Sequence, residues 1–147
     1  MSLKQWENNG WLKAHRSSAR EISDLLKVAD RDLDDCRLPG LSPDWRLGIA
    51  YNAALQSAAA ALAVSGYRAA RDAHHYRVIQ SLAYTIGFQP EQILVLDRIR
   101  KKRNIGGYER TGAVSDKEAT EAIELAQDLR RNVEDWILKE HPGIIDK

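Results

Sequence analysis

The sequence predicts an all-α fold, an antiparallel bundle of four or five helices. Alanine, leucine, arginine and glutamate dominate the 147 residues, whereas phenylalanine and valine are scarce, and this composition favours helices over strands. Apolar residues recur at intervals of three and four over long segments, and no stretch of useful length alternates as a strand does. Serine start signals and glycine or proline stop signals separate these segments.

The length of the chain is that of one domain. Residues 1–16 contain Trp6 and Trp11 but show no clear period, so they are predicted as an N-terminal arm or a short helix. Residues 17–147 are predicted as a single helical-bundle domain. Residues 67–72 are predicted as a basic connection within it.

Local signals define the first two helices. The first is predicted over residues 19–36, after a capping box formed by Ser18 and Glu21. Asp32, Asp34 and Asp35 near its end are predicted to be solvated. The second helix is predicted over residues 43–65, behind Ser42 as the N-cap, and it carries many small side chains that let a neighbouring helix approach closely.

The other three helices are predicted over residues 74–86, from Pro90 to Arg103 or Asn104, and from Ser115 to about His141. Gly87 ends the first of these, and Gly106-Gly107 ends the second because glycine is unfavourable inside a helix. A second capping box, Ser115 with Glu118, opens the third.

Several classes of site and location are excluded by what the sequence lacks. Cys36 is the only cysteine, which rules out an internal disulfide and a multi-cysteine zinc site. His74 and His75 point about 100° apart on a helix, which is poor geometry for one metal, so they are predicted as helix-start and partly buried residues. No metal or cofactor is expected. No run of about 18 apolar residues occurs, so we expect no membrane span and a cytoplasmic location.

Positive charge is concentrated in one part of the chain. Residues 66–103 carry eight basic and three acidic side chains, a net charge of +5, whereas the whole chain carries +1. Five of the six residues from Arg98 to Arg103 are cationic, and Asn104, Gly106-Gly107 and Tyr108 follow them. Cations in the last turn complement the helix dipole, but five exceed what that effect requires. The run therefore indicates either a phosphate-binding face or ordinary solvated surface.

The end of this run resembles the signature of the HEPN superfamily (higher eukaryotes and prokaryotes nucleotide-binding domains). That signature is an arginine at the end of a late helix, a polar residue next to it, and a histidine four to six positions on. Arg103 and Asn104 match its first two positions, and Tyr108 stands where the histidine is expected. The small-residue helix that begins Tyr51-Asn-Ala-Ala-Leu is similar to the family's, as are the hairpin at Gly66-Tyr67 and the helix start at Val114-Ser115. The resemblance spans residues 20–136.

The resemblance implies an RNA- or nucleotide-binding protein, with weak or degenerate activity as a metal-independent endoribonuclease of a toxin–antitoxin or defence type. It implies catalytic roles for Arg103 and Tyr108. Histidine titrates near neutral pH, whereas an unperturbed tyrosine has a pKa of about 10, which makes Tyr108 a poor base. The predicted nucleic-acid-binding residues are Arg98, Lys101, Lys102, Arg103 and Asn104.

The resemblance also implies a homodimer, with the motifs of two subunits lining one cleft. The apolar and small residues of the second and fifth helices, including Trp136 and the run Ala58 to Ala61, favour such a dimer as well. An alternative is a non-catalytic helical module that partners a nucleotidyltransferase, an antitoxin or another protein. A further alternative is a plain helical scaffold whose basic run is surface.

Overall fold

The computed structural model describes residues 1–105 and 114–145, and the predicted all-α helical bundle is confirmed. Its helices are α1 (Leu3–Asn8), α2 (Ala19–Asp35), α3 (Pro43–Val64), α4 (His74–Gln80), α5 (Pro90–Ile105) and α6 (Asp116–Glu140). The arm at the N-terminus thus contributes a sixth helix to the described part of the chain, α1. Two short strands, β1 (Leu12–Ala14) and β2 (Tyr67–Ala69), pair antiparallel.

Helix α3 is the centre of the bundle. It packs most extensively against α6 and α2 and also contacts α4 and α5. Alanines fill its buried surface, and Ala50, Ala53, Ala60 and Ala61 are fully buried. Their small side chains let α3 lie close to several neighbours at once. Of the run Ala58 to Ala61 that favoured a homodimer, three residues are therefore already buried within one chain, and Ala59 is partly buried.

The helix starts agree with the sequence signals. The side chains of Ser18 and Ser42 each accept a hydrogen bond from a backbone N–H three residues on. Ser115 and Glu118 form the reciprocal capping box that opens α6. Gly66 ends α3 with a positive φ of 94°, a conformation that glycine adopts without a steric penalty.

The N-terminal arm is held by a two-stranded ribbon that the sequence analysis did not predict. Leu12, Lys13 and Ala14 face Ala69, Arg68 and Tyr67, and the ladder is extended by the Ala70 N–H, which donates to the Trp11 carbonyl oxygen at 2.9 Å. Three-residue strands are too short to show an alternating pattern, and their partners lie more than 50 positions apart. Part of the predicted basic connection is therefore strand β2.

Helix α4 is shorter than predicted. It ends at Gln80, and a 3₁₀ turn covers Ser81–Ala83. The buried Ser81 hydroxyl donates to the Val78 carbonyl oxygen at 2.7 Å, which competes with the helical pattern. The prediction that this helix continues to residue 86 is wrong for that reason.

Asp32 is buried, contrary to the prediction of a solvated acidic surface. Its carboxylate accepts hydrogen bonds from Asn52 of α3, at 2.5 Å, and from Arg31, at 3.1 Å. A buried carboxylate needs such partners because burial of an unpaired charge is strongly unfavourable. This contact links α2 to α3.

By length and composition α3 would qualify as a membrane-spanning helix. However, 67% of its most apolar window is buried within the protein. A core helix passes the same test, so this helix is weak support for a membrane span.

Candidate nucleic-acid interface

The basic run of α5 is divided between two faces of the helix. Five cations within six positions cannot share one face, because each residue turns the helix by about 100°. Arg98 and Lys102 line a groove toward α6. Arg100 and Arg103 lie on the side that faces Tyr51.

The face of Arg98 and Lys102 is partly neutralised by α6. Their groove, of about 250 Å³, is also lined by Glu118 and Glu121. The Lys102 Nζ lies 3.3 Å from a Glu118 carboxylate oxygen. The pKa of Glu118 is lowered by the backbone hydrogen bond from Ser115 and also by Lys102. Two acidic side chains beside two basic ones make this groove a weak candidate for phosphate binding.

On the other face, the buried carboxylate of Asp97 positions two cations. One of its oxygens lies 2.9 Å from Arg100 Nε, and the other lies 3.3 Å from Lys101 Nζ. Arg100 is mostly covered, whereas Lys101 is exposed. Because its guanidinium bonds to a carboxylate from the same helix, Arg100 has a defined orientation.

Arg103 is exposed at the end of α5 and lies over an aromatic ring. Its guanidinium carbon is 5.3 Å from the centroid of Tyr51, which is within cation–π range. Tyr51 is a residue of α3 and is almost fully buried. The ring therefore gives the Arg103 side chain a fixed support while its charge stays accessible to solvent.

Tyr51 connects Arg103 to a histidine. The Tyr51 hydroxyl oxygen lies 3.2 Å from Nδ1 of His75, in the first turn of α4, and the two ring centroids are 5.9 Å apart. Burial raises the pKa of Tyr51 to about 12, partly offset by Arg103 and Arg100. The hydroxyl thus keeps its proton at neutral pH, and the pair is a hydrogen bond between neutral groups.

The imidazole of His75 is held in its neutral form. Burial lowers its pKa first, and the positive charges of Arg103, His74 and Arg100 lower it further. Since the folded protein binds this proton less readily than the unfolded chain, the contribution to stability is fully present above the ordinary histidine pKa of about 6.5. It is lost as the pH falls below that value and through the lowered pKa of His75 in the folded protein.

Arg103→Gln is expected to raise the pKa of His75 toward its ordinary value, because one nearby positive charge is removed. A proton NMR titration of the histidine ring signals measures the change. Arg98→Gln is the matched control, since Arg98 belongs to the same basic run but lines the other groove. An unchanged His75 pKa in a folded Arg103→Gln protein would show that the two side chains are not close in solution.

The structure brings only some of the predicted site residues together. Arg103 joins Tyr51 and His75, Lys101 pairs with Asp97, and Arg98 and Lys102 face the other way. Tyr108 and the side chain of Asn104 lie outside the described residues. Nucleic-acid contact by this set remains a prediction.

His75 is a site residue that the sequence did not predict. The histidine pair was assessed as a metal site and then predicted as a helix-start and a partly buried residue, with no role at the basic run. In residues 1–105 and 114–145, no group of three or more His, Cys, Asp or Glu side chains could hold a metal. His75 reaches the site because α3, α4 and α5 pack together there, and residue spacing along the chain does not predict that packing.

Comparisons with known proteins identify no relative. No family model, no curated protein and no solved structure matches the chain.

Proposed function

We propose that this protein binds RNA and cleaves it without a metal ion, in the manner of HEPN-like ribonucleases, with Arg103, Arg100 and His75 at the reacting phosphate. The observation that carries the proposal is that Arg103 and His75 contact the same buried side chain, Tyr51. A neutral imidazole and an accessible guanidinium are the two groups that cleavage by the RNA 2′-hydroxyl requires.

The chemistry is an internal transfer. The 2′-oxygen attacks the adjacent phosphorus while Nε2 of His75 accepts the proton of the 2′-hydroxyl. The bond from phosphorus to the 5′-oxygen breaks, and that oxygen takes a proton from water. The hydroxide that this leaves takes the proton from Nε2, which restores the neutral ring of His75. The products are a 2′,3′-cyclic phosphate and a 5′-hydroxyl, and no oxidant or reductant is needed.

Each side chain has a role that follows from its surroundings. Nε2 can accept a proton in the tautomer whose Nδ1–H donates to the Tyr51 oxygen, so Tyr51 would orient the ring. Arg103 and Arg100 would bind the non-bridging oxygens, whose negative charge grows in the transition state. Arginine suits this role because it stays protonated and can form two parallel hydrogen bonds.

Tyr108 keeps a binding role in this proposal. Its position in the HEPN-like signature places it after Arg103, where a phenol can donate a hydrogen bond to phosphate or stack on a base. The base function, which the resemblance implies for that position, would be carried by His75 instead.

The decisive experiment incubates the pure protein with a labelled single-stranded RNA in the presence of a chelator. We expect slow cleavage to fragments that end in a 2′,3′-cyclic phosphate, and binding that weakens as salt rises. Salt-dependent binding without any cleavage would favour the non-catalytic interaction module. A protein that neither binds nor cleaves RNA would overturn the proposal.

We also propose that the protein is a homodimer, on the strength of the resemblance alone. Light scattering at micromolar concentration is expected to give twice the chain mass of 16.6 kDa. Trp45 and Leu94 remain exposed among the described residues, with 67% and 64% of their surfaces accessible, and are suitable positions for Asp substitutions that would disrupt an apolar interface. A mass of one chain would contradict the dimer.

A further inference from the structure

A second basic cavity lies where the N-terminal arm meets the turn into α4. It has a volume of about 450 Å³, and we call it the ribbon cleft. Three cations line it, Lys13, Arg71 and Arg77, together with one acid, Asp72. None of these four forms an ion pair with any residue in the described part of the chain. The cleft therefore carries a net positive charge that the described carboxylates do not neutralise.

Aromatic rings hold one of these cations in place. The guanidinium carbon of Arg77 lies 3.8 Å from the centroid of Trp11, 5.8 Å from that of Trp6 and 5.4 Å from that of Tyr76. Trp6 in turn packs edge-on against Trp11, with centroids 5.7 Å apart. An arginine packed against aromatic rings keeps a defined position, so its charge and its planar surface are both available for a ligand.

The backbone of the cleft includes a strained residue. Ala73 has φ 52° and ψ 37°, the left-handed conformation, which is unfavourable for a residue with a Cβ atom. Such strain persists only where the surroundings impose it, and it occurs preferentially at functional sites. Here it shapes the turn that carries Arg71 and Asp72 to the wall of the cleft.

Tyr76 connects the ribbon cleft to the candidate nucleic-acid interface. It follows His75 in the chain, and its ring lies 5.6 Å from the guanidinium carbon of Arg100 as well as 5.4 Å from that of Arg77. Cations and aromatic rings therefore alternate from Arg100 through Tyr76 and Arg77 to Trp11, and Tyr76 is the chain neighbour of His75 in the candidate interface. Surfaces that hold single-stranded nucleic acid combine the same two elements, cations for the phosphates and rings for the bases.

We propose that the ribbon cleft is a second subsite that binds an unpaired nucleotide of the RNA strand whose reacting phosphate lies at Arg103. Lys13 and Arg71 would contact the phosphate, and the base would stack on Arg77 or Tyr76. This inference rests on the proposed function, and it adds that the substrate is single-stranded and extends beyond the reacting dinucleotide toward the N-terminal arm.

The test compares the affinities of two labelled RNAs by fluorescence anisotropy, a trinucleotide and a single strand of about 12 nucleotides, a length within the usual range for such surfaces. The variant is Lys13→Gln with Arg71→Gln, because both side chains are exposed and we expect their replacement to leave the fold intact. The matched control is Arg20→Gln with Arg131→Gln, which removes the same charge from side chains that are 91% and 68% accessible elsewhere.

We expect the cleft variant to bind the long strand about tenfold more weakly and to bind the trinucleotide as the wild type does. Its salt dependence should fall by about 0.7 in logarithmic slope for each lost phosphate contact. Arg77→Gln should lower the affinity for the long strand in the same way. An effect no larger than that of the control, or an equal loss for both RNAs, would overturn the second subsite.

Arg103→Gln separates this inference from the proposed function. If Arg103→Gln does not change RNA affinity while the cleft variant lowers the affinity for the long strand, the ribbon cleft is supported as a binding site and the role of Arg103 is contradicted. If only Arg103→Gln lowers RNA affinity, the cleft proposal is contradicted and the role of Arg103 is supported. If the wild type binds neither RNA, both fail.

Discussion

His75→Gln is expected to slow metal-independent RNA cleavage by about 10²- to 10⁴-fold, the usual contribution of a general base. Glutamine keeps a similar size and can still bond to Tyr51, but it cannot accept a proton. RNA affinity should change little, because the neutral ring carries no charge to the phosphate. Single-turnover cleavage of a labelled RNA in chelator measures the rate, and anisotropy measures the affinity.

Two variants identify the base. His74→Gln changes the exposed neighbour of His75 and should cleave within a few-fold of the wild type. Tyr108→Phe should retain most of the cleavage if His75 is the base. If Tyr108→Phe abolishes cleavage and His75→Gln does not, the base is at the position that the HEPN-like signature implies, and Tyr108→His should then raise the rate.

Arg103→Ala is expected to slow cleavage by about 10²- to 10³-fold, the effect of removing one group that stabilises charge in the transition state. It should also weaken RNA binding, because a contact to phosphate is lost. Its free energy of unfolding should fall by less than about 1 kcal/mol, since the side chain is exposed at a helix end. Urea denaturation and the cleavage assay together give both values.

Arg98→Ala is the control for this variant. Arg98 is also exposed and belongs to the same run, but it shares its groove with Glu118 and Glu121. We expect it to leave the cleavage rate nearly unchanged. Equal losses for Arg98→Ala and Arg103→Ala would mean that the run acts only through its total charge, and unfolding of Arg103→Ala would assign that residue a structural role.

Helix positions could be predicted because their signals are local. Ser42 followed by Pro43, and the capping box at Ser115, act within a single turn, and the observed helices begin where these signals predict. The ribbon could not be predicted in the same way. Leu12–Ala14 and Tyr67–Ala69 pair only because the arm folds back over the end of α3, which no short window of sequence contains.

The candidate site shows the same division. Arg103 could be identified from its place at the end of a helix and from the residues that follow it. Its partners could not, because Tyr51 belongs to α3 and His75 to α4, and only packing brings them together. Likewise, helix geometry predicts that Arg98 and Arg103 lie on different sides of α5. It does not predict that Arg98 is the one beside acidic residues, because that depends on where α6 packs.

The central position of α3 has a consequence for hydrogen exchange. The middle of this helix is covered by α2 and α6, so its amide hydrogens exchange only when most of the molecule opens, with a free energy near that of global unfolding. The N-terminal arm lies at the edge of the bundle, where the short ribbon, its flanking hydrogen bonds and the buried side chains of Trp6 and Leu12 hold it, so we expect its amides to exchange through a more local opening. Detachment of the arm would separate Trp11 from Arg77 while Tyr51, His75 and Arg103 stay in place. We therefore expect the ribbon cleft to be locally less stable than the contacts of Arg103, and binding of a long strand to slow exchange in the arm more than in α3.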